Sequence, residues 1–267
     1  MPAKYFFLVM CAGDGIHTQK CLYSYYPTYD KIAIIRCMIK RAKGMETTIS
    51  GSGSSGKILL KKVLLICGIL ASLLYVSTDI LAGMLWEGYS FTDQAISELS
   101  AIGVPTRPLV VPLLTIYVVL VIAFGLGVWR SAGRNRALRV TGGLLIIIGL
   151  IGLAWTPFPM HLGEPVSSLA NIMHSIFAGI QVLFILLATG FGAVAYRNWF
   201  RFYSIGTILA LLLTGVVAFG LAAAGQNPLT PPWFGVIERI NVYGYLLWQV
   251  MLAIIILRAE KEPTGKH

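Results

Sequence analysis

Side chains able to move a proton, hold a metal ion or grip an anionic group recur within and beside long apolar runs: Asp79, Glu98, Arg107, His161, His174, Glu238 and Arg239. Two histidines and a carboxylate are a donor set for a divalent metal such as zinc, which turns a bound water into a nucleophile near neutral pH. On that reasoning His161 and His174 are the candidate metal ligands, with Asp79 or Glu98 as the carboxylate. A guanidinium is a good clamp for a phosphate because its planar fork meets two oxygens at once. Arg107, Arg239 and the neighbouring Glu238 are therefore the candidate ligand-binding residues. No His-x-x-x-His pair sets the two imidazoles on one helix face, so a polar rim without metal is the competing reading.

Such residues act only if something brings them together. The chain has 267 residues, 57% hydrophobic and 12% charged, with a mean hydropathy of +0.76; a soluble domain carries about 25% charged residues. From Lys57 onward six apolar segments each approach the roughly 20 residues that a spanning helix needs. They run from about Val63 to Leu85, Pro108 to Trp129, Leu138 to Trp155, Ile172 to Ala195, Phe202 to Ala224 and Ile240 to Leu257. The expected fold is all-α, a polytopic six-helix transmembrane bundle.

The connections sort by charge. Lys57, Lys61 and Lys62 precede the first span, Arg130, Arg134, Arg136 and Arg139 join the second and third, Arg197 and Arg201 join the fourth and fifth, and Arg258, Lys261 and Lys266 follow the last. Only Arg107 and Arg239 fall on the other side, which by the positive-inside rule puts both termini in the cytoplasm of a cell-membrane protein. The net charge of +10 follows from this asymmetry, so membrane lipids rather than nucleic acid are the expected partners. Cys11, Cys21, Cys37 and Cys67 show no Cys-x-x-Cys spacing, and three of them fall on the cytoplasmic side, so neither a disulfide nor a zinc knuckle is expected.

Residues 1 to 56 share no pattern with the rest. Lys31 to Lys43 can form a basic surface helix and Ile49 to Gly56 reads as a flexible linker; translation starting at Met45 is the alternative account of this extension. Residues 57–267 are the membrane domain.

The topology gathers the polar residues on the outer side. Asp79 lies inside the first span, roughly 5 to 10 Å below the outer surface at 1.5 Å per residue, where an acid needs a partner or a function. Its candidate partners are His174, Arg239 or a metal. Trp86 to Arg107 is the longest polar interruption, and Ser90 with Asp93 has the form of a capping box, so a short amphipathic helix is predicted from Phe91 to Ile102. Phe91, Ala95, Ile96, Leu99 and Ile102 share its apolar arc, with Glu98 at the border. Pro157 and Pro159 stop the third span and leave His161 at the rim, facing His174 at the start of the fourth. Glu238 and Arg239 sit about 28 Å from the inner face, at the outer end of the sixth. They point about 100° apart, so Arg239 is expected to reach Asp79, Glu98 or a lipid phosphate rather than Glu238.

Thr78-Asp79, the run Gln94 to Arg107, Phe158 to His161, Met173-His174 and Gly235 to Asn241 resemble the membrane family catalogued as domain of unknown function 998, over about Lys62 to Leu257. The resemblance implies six membrane helices in a prokaryotic envelope and carries no established activity. More distantly, an Asp, a Ser and histidines at outer helix ends resemble the alkaline-ceramidase-like membrane hydrolases; Asp79, Ser97 and Glu98 are the candidate catalytic residues. Those enzymes use three histidines at zinc, and this core holds two.

Two function classes follow. One is a lipid-binding, sensing or accessory membrane protein with an outward-facing polar pocket lined by Asp79, Glu98, His161, His174 and Arg239. The alternative is a metal-dependent hydrolase of lipid esters or amides. A transporter ranks third, because the spans lack midplane charges and inverted repeats. The topology is checked by cysteine labelling: substitutions at Gln94 and Glu164 should react from outside the cell, and those at Asn135 and Asn198 should not.

Overall fold

The computed structural model describes residues 55–155, 158–162, 164, 168–197, 199–224 and 232–259, all within the unit Met45–His267. The N-terminal extension, its basic segment and the alternative start lie outside the described residues, apart from Ser55 and Gly56, which open the first helix instead of closing a linker. Six long helices follow: α1 (Ser55–Leu85), α2 (Arg107–Ser131), α3 (Arg136–Ala154), α4 (Leu169–Ala195), α5 (Trp199–Ala224) and α6 (Phe234–Ala259). All six are long and apolar enough to cross a membrane, and the described residues form no named strand. The protein is a polytopic transmembrane helix bundle, as the apolar runs require.

Each helix packs on its neighbours in sequence, and α1 meets α6 so that the ring closes; α2 and α4 also touch α6. Large apolar side chains point outward along every helix, including Leu73, Met84, Leu183, Phe202, Leu213 and Leu247. Where lipid is as apolar as leucine, helices associate through close packing and interhelical hydrogen bonds instead of through water exclusion. Both are present. Gly142 of α3 lies against the α2 backbone, where an added Cβ would stand 2.6 Å from the Trp129 nitrogen and 2.9 Å from the Gly125 carbonyl.

Gln249, fully buried on α6, donates to the Gly68 carbonyl (2.9 Å) and to Ser72 Oγ (3.1 Å) of α1. Asn241 Nδ2 donates to the Leu211 carbonyl (2.9 Å) and Thr214 Oγ1 (2.8 Å), joining α6 to α5. At the α2–α3 turn Asn135 does two jobs. Its Oδ1 accepts from the Leu138 N–H (3.0 Å), capping α3, and its Nδ2 donates to the Ala195 carbonyl (3.0 Å) at the end of α4.

The segment between α1 and α2 closes one end of the bundle, here called the loop end. It does contain a short helix, but not the one from Phe91 to Ile102. Only Ile96–Ser100 is helical, as a five-residue 3-10 turn. Ser90 and Asp93 make half of a capping box, Ser90 Oγ accepting from the Asp93 N–H (3.2 Å) and donating to Asp93 Oδ2 (2.9 Å), while the Ser90 N–H goes to Gln94 Oε1 (2.9 Å). The helix they would start does not form, because other parts of the fold take the carbonyls that it would need. Ile96 and Leu99 are buried with Ala82 of α1 and Val110 of α2, while Ile102 stays exposed.

Gly142→Ala places a methyl where the α2 backbone already stands, and overpacking of this kind costs about 1 to 3 kcal/mol. Gly179→Ala, which meets nothing within 4 Å, should leave stability unchanged. Reversible unfolding in mixed micelles compares the two.

Candidate functional site

Arg239 is the centre of the loop-end cluster. Its Nε donates to Asp79 Oδ2 (2.9 Å) and its Nη2 to Asp79 Oδ1 (2.8 Å), a fork-to-fork pair in which the Asp79 side chain is wholly buried. Nη2 also donates to Tyr89 Oη (2.7 Å), and Nη1 faces the carbonyls of Phe91 (2.8 Å), Gln94 (3.1 Å) and Gly235 (3.2 Å). A guanidinium has five N–H groups, and these partners account for them all. The cation also lies 4.9 Å from the centre of the Phe91 ring and 5.7 Å from that of Tyr89. Tyr243 Oη donates to Asp79 Oδ2 (2.5 Å) as well. Of the partners proposed for Asp79, Arg239 is the one that the geometry supplies.

Because the guanidinium needs acceptors from residues 91–95, those carbonyls are withdrawn from helical bonding. Tyr89 Oη donates in turn to the Ala95 carbonyl (2.9 Å), and the Thr92 carbonyl accepts from the Val236 N–H (3.1 Å). Asp93 Oδ1 accepts from the Trp233 N–H (3.0 Å). The loop thereby satisfies amide groups at the start of α6 that no helical carbonyl can reach, and sets a carboxylate at its positive end. Gly235 permits this approach, since a Cβ there would stand 2.4 Å from the Gln94 carbonyl oxygen. Burial pushes the Tyr89 hydroxyl well above the ordinary phenol range, against the opposing pull of Arg239, and so keeps it a neutral donor.

The other acids are used inside the same structure. Glu98, 3% exposed, accepts from the Ala95 N–H through Oε1 (2.8 Å) and from Gln94 Nε2 through Oε2 (2.9 Å). Glu238 Oε2 accepts from the Ile96 N–H (2.6 Å). Arg107, at the start of α2, donates to the Ser100 carbonyl. Ser97 Oγ has the Met160 sulfur as its partner at 3.6 Å, and none of the described residues bonds to it as a base.

The histidines stand apart from this network. His161 Nδ1 lies 3.2 Å from Glu164 Oε1, its backbone is held by Asn171, and it bridges to Ile102. His174 Nδ1 is 3.3 Å from the Phe158 carbonyl, and its ring packs edge-on against Trp155. Among the described residues no three His, Cys, Asp or Glu side chains gather where they could hold one metal ion. The expected joint arrangement of both histidines with Asp79 or Glu98 is therefore replaced by separate local pairings. The expected common lining is likewise divided, because Asp79 and Arg239 close on one another and expose little to a ligand.

A different feature escaped the sequence reading. On each helix the face opposite the outward leucines points into the bundle. Away from the loop end that face is buried, as at Leu65 and Ser72, Val121 and Gly125, Leu138 and Leu145, Ala188 and Gly192, Phe200 and Ser204, and Gln249 and Leu252. Toward the loop end burial is mixed: Thr78, Asp79, Ala82, Val110, Thr214 and Arg239 are buried, while Tyr75, Leu114, Ala218, Glu238 and, over four successive inward positions of α4, His174, Ala178, Gln181 and Ile185 stay partly exposed. The Gln181 Oε1 atom is the one buried side-chain oxygen or nitrogen among the described residues that lacks a hydrogen-bond partner. Hydropathy carries no signal for this difference, since apolar residues fill the face in both halves.

Asp79→Ala leaves the guanidinium buried against its carbonyls with no counter-charge, and should destabilise the fold by about 3 to 5 kcal/mol, with Asp79→Asn milder. The double variant Asp79→Leu, Arg239→Met should recover much of that loss. Unfolding of the parent and the three variants in one detergent compares them.

With this geometry in view, the model of the family described as Protein of unknown function (DUF998) matches residues 69–255. No curated protein and no solved structure matches the chain, so the alkaline-ceramidase-like resemblance gains no counterpart.

Proposed function

The chain belongs to the DUF998 family, and because that membership names no activity, we propose from the geometry that it is a non-catalytic membrane protein that holds a membrane amphiphile among the inward faces of its loop-end half. The observation that carries the reading is the partial exposure of four successive inward positions of α4, His174, Ala178, Gln181 and Ile185, beside the buried Ala188 and Gly192 further along the same face. Packed interiors leave few voids larger than a water molecule. An inward helix face that stays partly exposed over three turns is therefore built to meet something, and mostly apolar walls with a few polar groups suit a lipid-like occupant. His174, Gln181, Tyr75 and Glu238 are those groups.

Catalysis finds less support. Asp79 and Glu98 already have hydrogen-bond partners for both oxygens, and Arg239 has no N–H left for a phosphate. These residues support a second role: they lock residues 89–98 across the starts of α2 and α6 as a fixed roof beside the site. The positive-inside asymmetry then turns the loop end outward, with both termini in the cytoplasm of a cell membrane.

Ala178 lies at the middle of the inward α4 face, so Ala178→Trp should fill the site without touching the roof. Native mass spectrometry of protein purified in mild detergent should find bound lipid on the parent and several-fold less on the variant, at equal unfolding temperature. A parent free of lipid, or a variant that carries as much, overturns the reading.

A further inference from the structure

The end of the bundle opposite the loop end carries a separate charged surface, and we infer that two of its turns together hold the phosphate of an anionic lipid. They are the turns between α2 and α3 and between α4 and α5, and Asn135 clips them to one another by donating from Nδ2 to the Ala195 carbonyl (3.0 Å). Arg134 and Arg136 flank Asn135, and Arg197 lies two residues beyond Ala195 along extended backbone, a span of about 7 Å at most. All three arginines are exposed, and none meets an acceptor among the described residues. Arg139, by contrast, folds back to donate from Nη2 to the Gly133 carbonyl (2.6 Å) and holds the first turn in shape. The clip thus sets three unengaged guanidinium groups around one point of contact.

Two further observations point to an anion. Among the described residues every carboxylate, Asp79, Glu87, Asp93, Glu98, Glu164 and Glu238, belongs to the loop-end half, so none of them balances these arginines. The placement also runs against the helix dipoles. α3 and α5 both begin at this end, neither has an acid in its first turn, and Arg136 and Arg139 of α3 and Arg201 of α5 put cations where the backbone is already positive. A charge bias across the membrane would be served equally well by basic residues at the ends of α2 and α4, where the dipole favours them. An anion between the two helix starts removes the conflict and meets planar forks suited to phosphate oxygens. The surroundings make it a lipid phosphate. Trp129 near the end of α2 and Trp199 at the start of α5 are exposed beside the two turns, as is Phe202 one turn further along α5. Aromatic side chains of this kind sit between headgroups and hydrocarbon, so acyl chains lie along them while the phosphate reaches the arginines. A choline headgroup would bring its own cation to the clamp, whereas the phosphate of a glycerol headgroup arrives uncompensated.

Full-length protein in neutral detergent micelles is titrated with phosphatidylglycerol or phosphatidylcholine carrying brominated acyl chains, which quench tryptophan fluorescence on contact. Phosphatidylglycerol should quench at about tenfold or more lower lipid fraction than phosphatidylcholine. The paired change Trp129→Phe, Trp199→Phe should remove that selective quenching. The triple variant Arg134→Gln, Arg136→Gln, Arg197→Gln should erase the preference. A control that removes as many charges from the α1 and α6 side of the same end, Lys57→Gln, Lys62→Gln, Arg258→Gln, should keep it. Asn135→Ser retains a capping oxygen for the Leu138 N–H but is too short to reach Ala195, and should lower the preference several-fold with every arginine in place. Equal quenching by the two lipids overturns the inference. Equal loss in the control reduces the surface to diffuse charge, and an undiminished preference in Asn135→Ser separates the two turns; either result overturns the joint site. Loss of the preference in excess inorganic phosphate makes the ligand a soluble anion and overturns the lipid. Should the arginine triple variant not fold, Asn135→Ser against the control decides alone.

Discussion

A carboxylate and a guanidinium cannot stand separately in an apolar helix bundle, and the architecture of the loop end follows from bringing Asp79 and Arg239 into register. Transfer of either ion alone from water carries a penalty of several kcal/mol even after relaxation. Paired contact offsets that penalty only when the remaining N–H groups and lone pairs also find partners. Here those partners come from the backbone of residues 91–95, from Tyr89 and Tyr243, and from the first turn of α6. The segment that looks like a loop is in effect the solvation shell of one arginine.

This explains why a local signal for helix and the observed conformation part company. Ser90 and Asp93 make the capping contact that their spacing announces, and the apolar residues Ile96 and Leu99 are buried as an amphipathic pattern requires. An α-helix, however, would direct the Phe91 and Gln94 carbonyls along its own axis, leaving Arg239 without acceptors and α6 without its Thr92 and Asp93 partners. The few tenths of a kcal/mol per residue that favour a short helix are small beside an unsatisfied buried guanidinium. Tertiary demand therefore sets the backbone.

The same scale of energies separates what the sequence made legible from what it concealed. The six spans and the family were readable, because long apolar runs and charge asymmetry are strong signals and several separated motifs agree. Asp79 and Arg239 stood out because charges inside such runs are rare, and their helix-end positions left few partners in reach. The contact of Glu238 with Ile96 joins residues 142 positions apart, and nothing local in either segment foretells it. Tyr89 and Tyr243 drew no notice, since aromatic residues near helix ends are ordinary interface anchors. The metal reading treated His161 and His174 as facing by topology, whereas Glu164 and the Phe158 carbonyl, nearer along the chain, engage them first.

The pairing of Asp79 with Arg239 spans nearly the whole membrane domain, from the first helix to the last, and so bears on how the chain is made. Helices enter the membrane in order of synthesis, and α1 arrives with its acid while the arginine is still being translated. Throughout that interval the nascent chain displays an ionisable group with no permanent partner. Entry of α6 supplies that partner together with the guanidinium that holds the Phe91 and Gln94 carbonyls of the α1–α2 connection. A chain cut between α5 and α6 would keep five helices and leave Asp79 without its arginine, so the acid of the first helix depends on the last helix to be made.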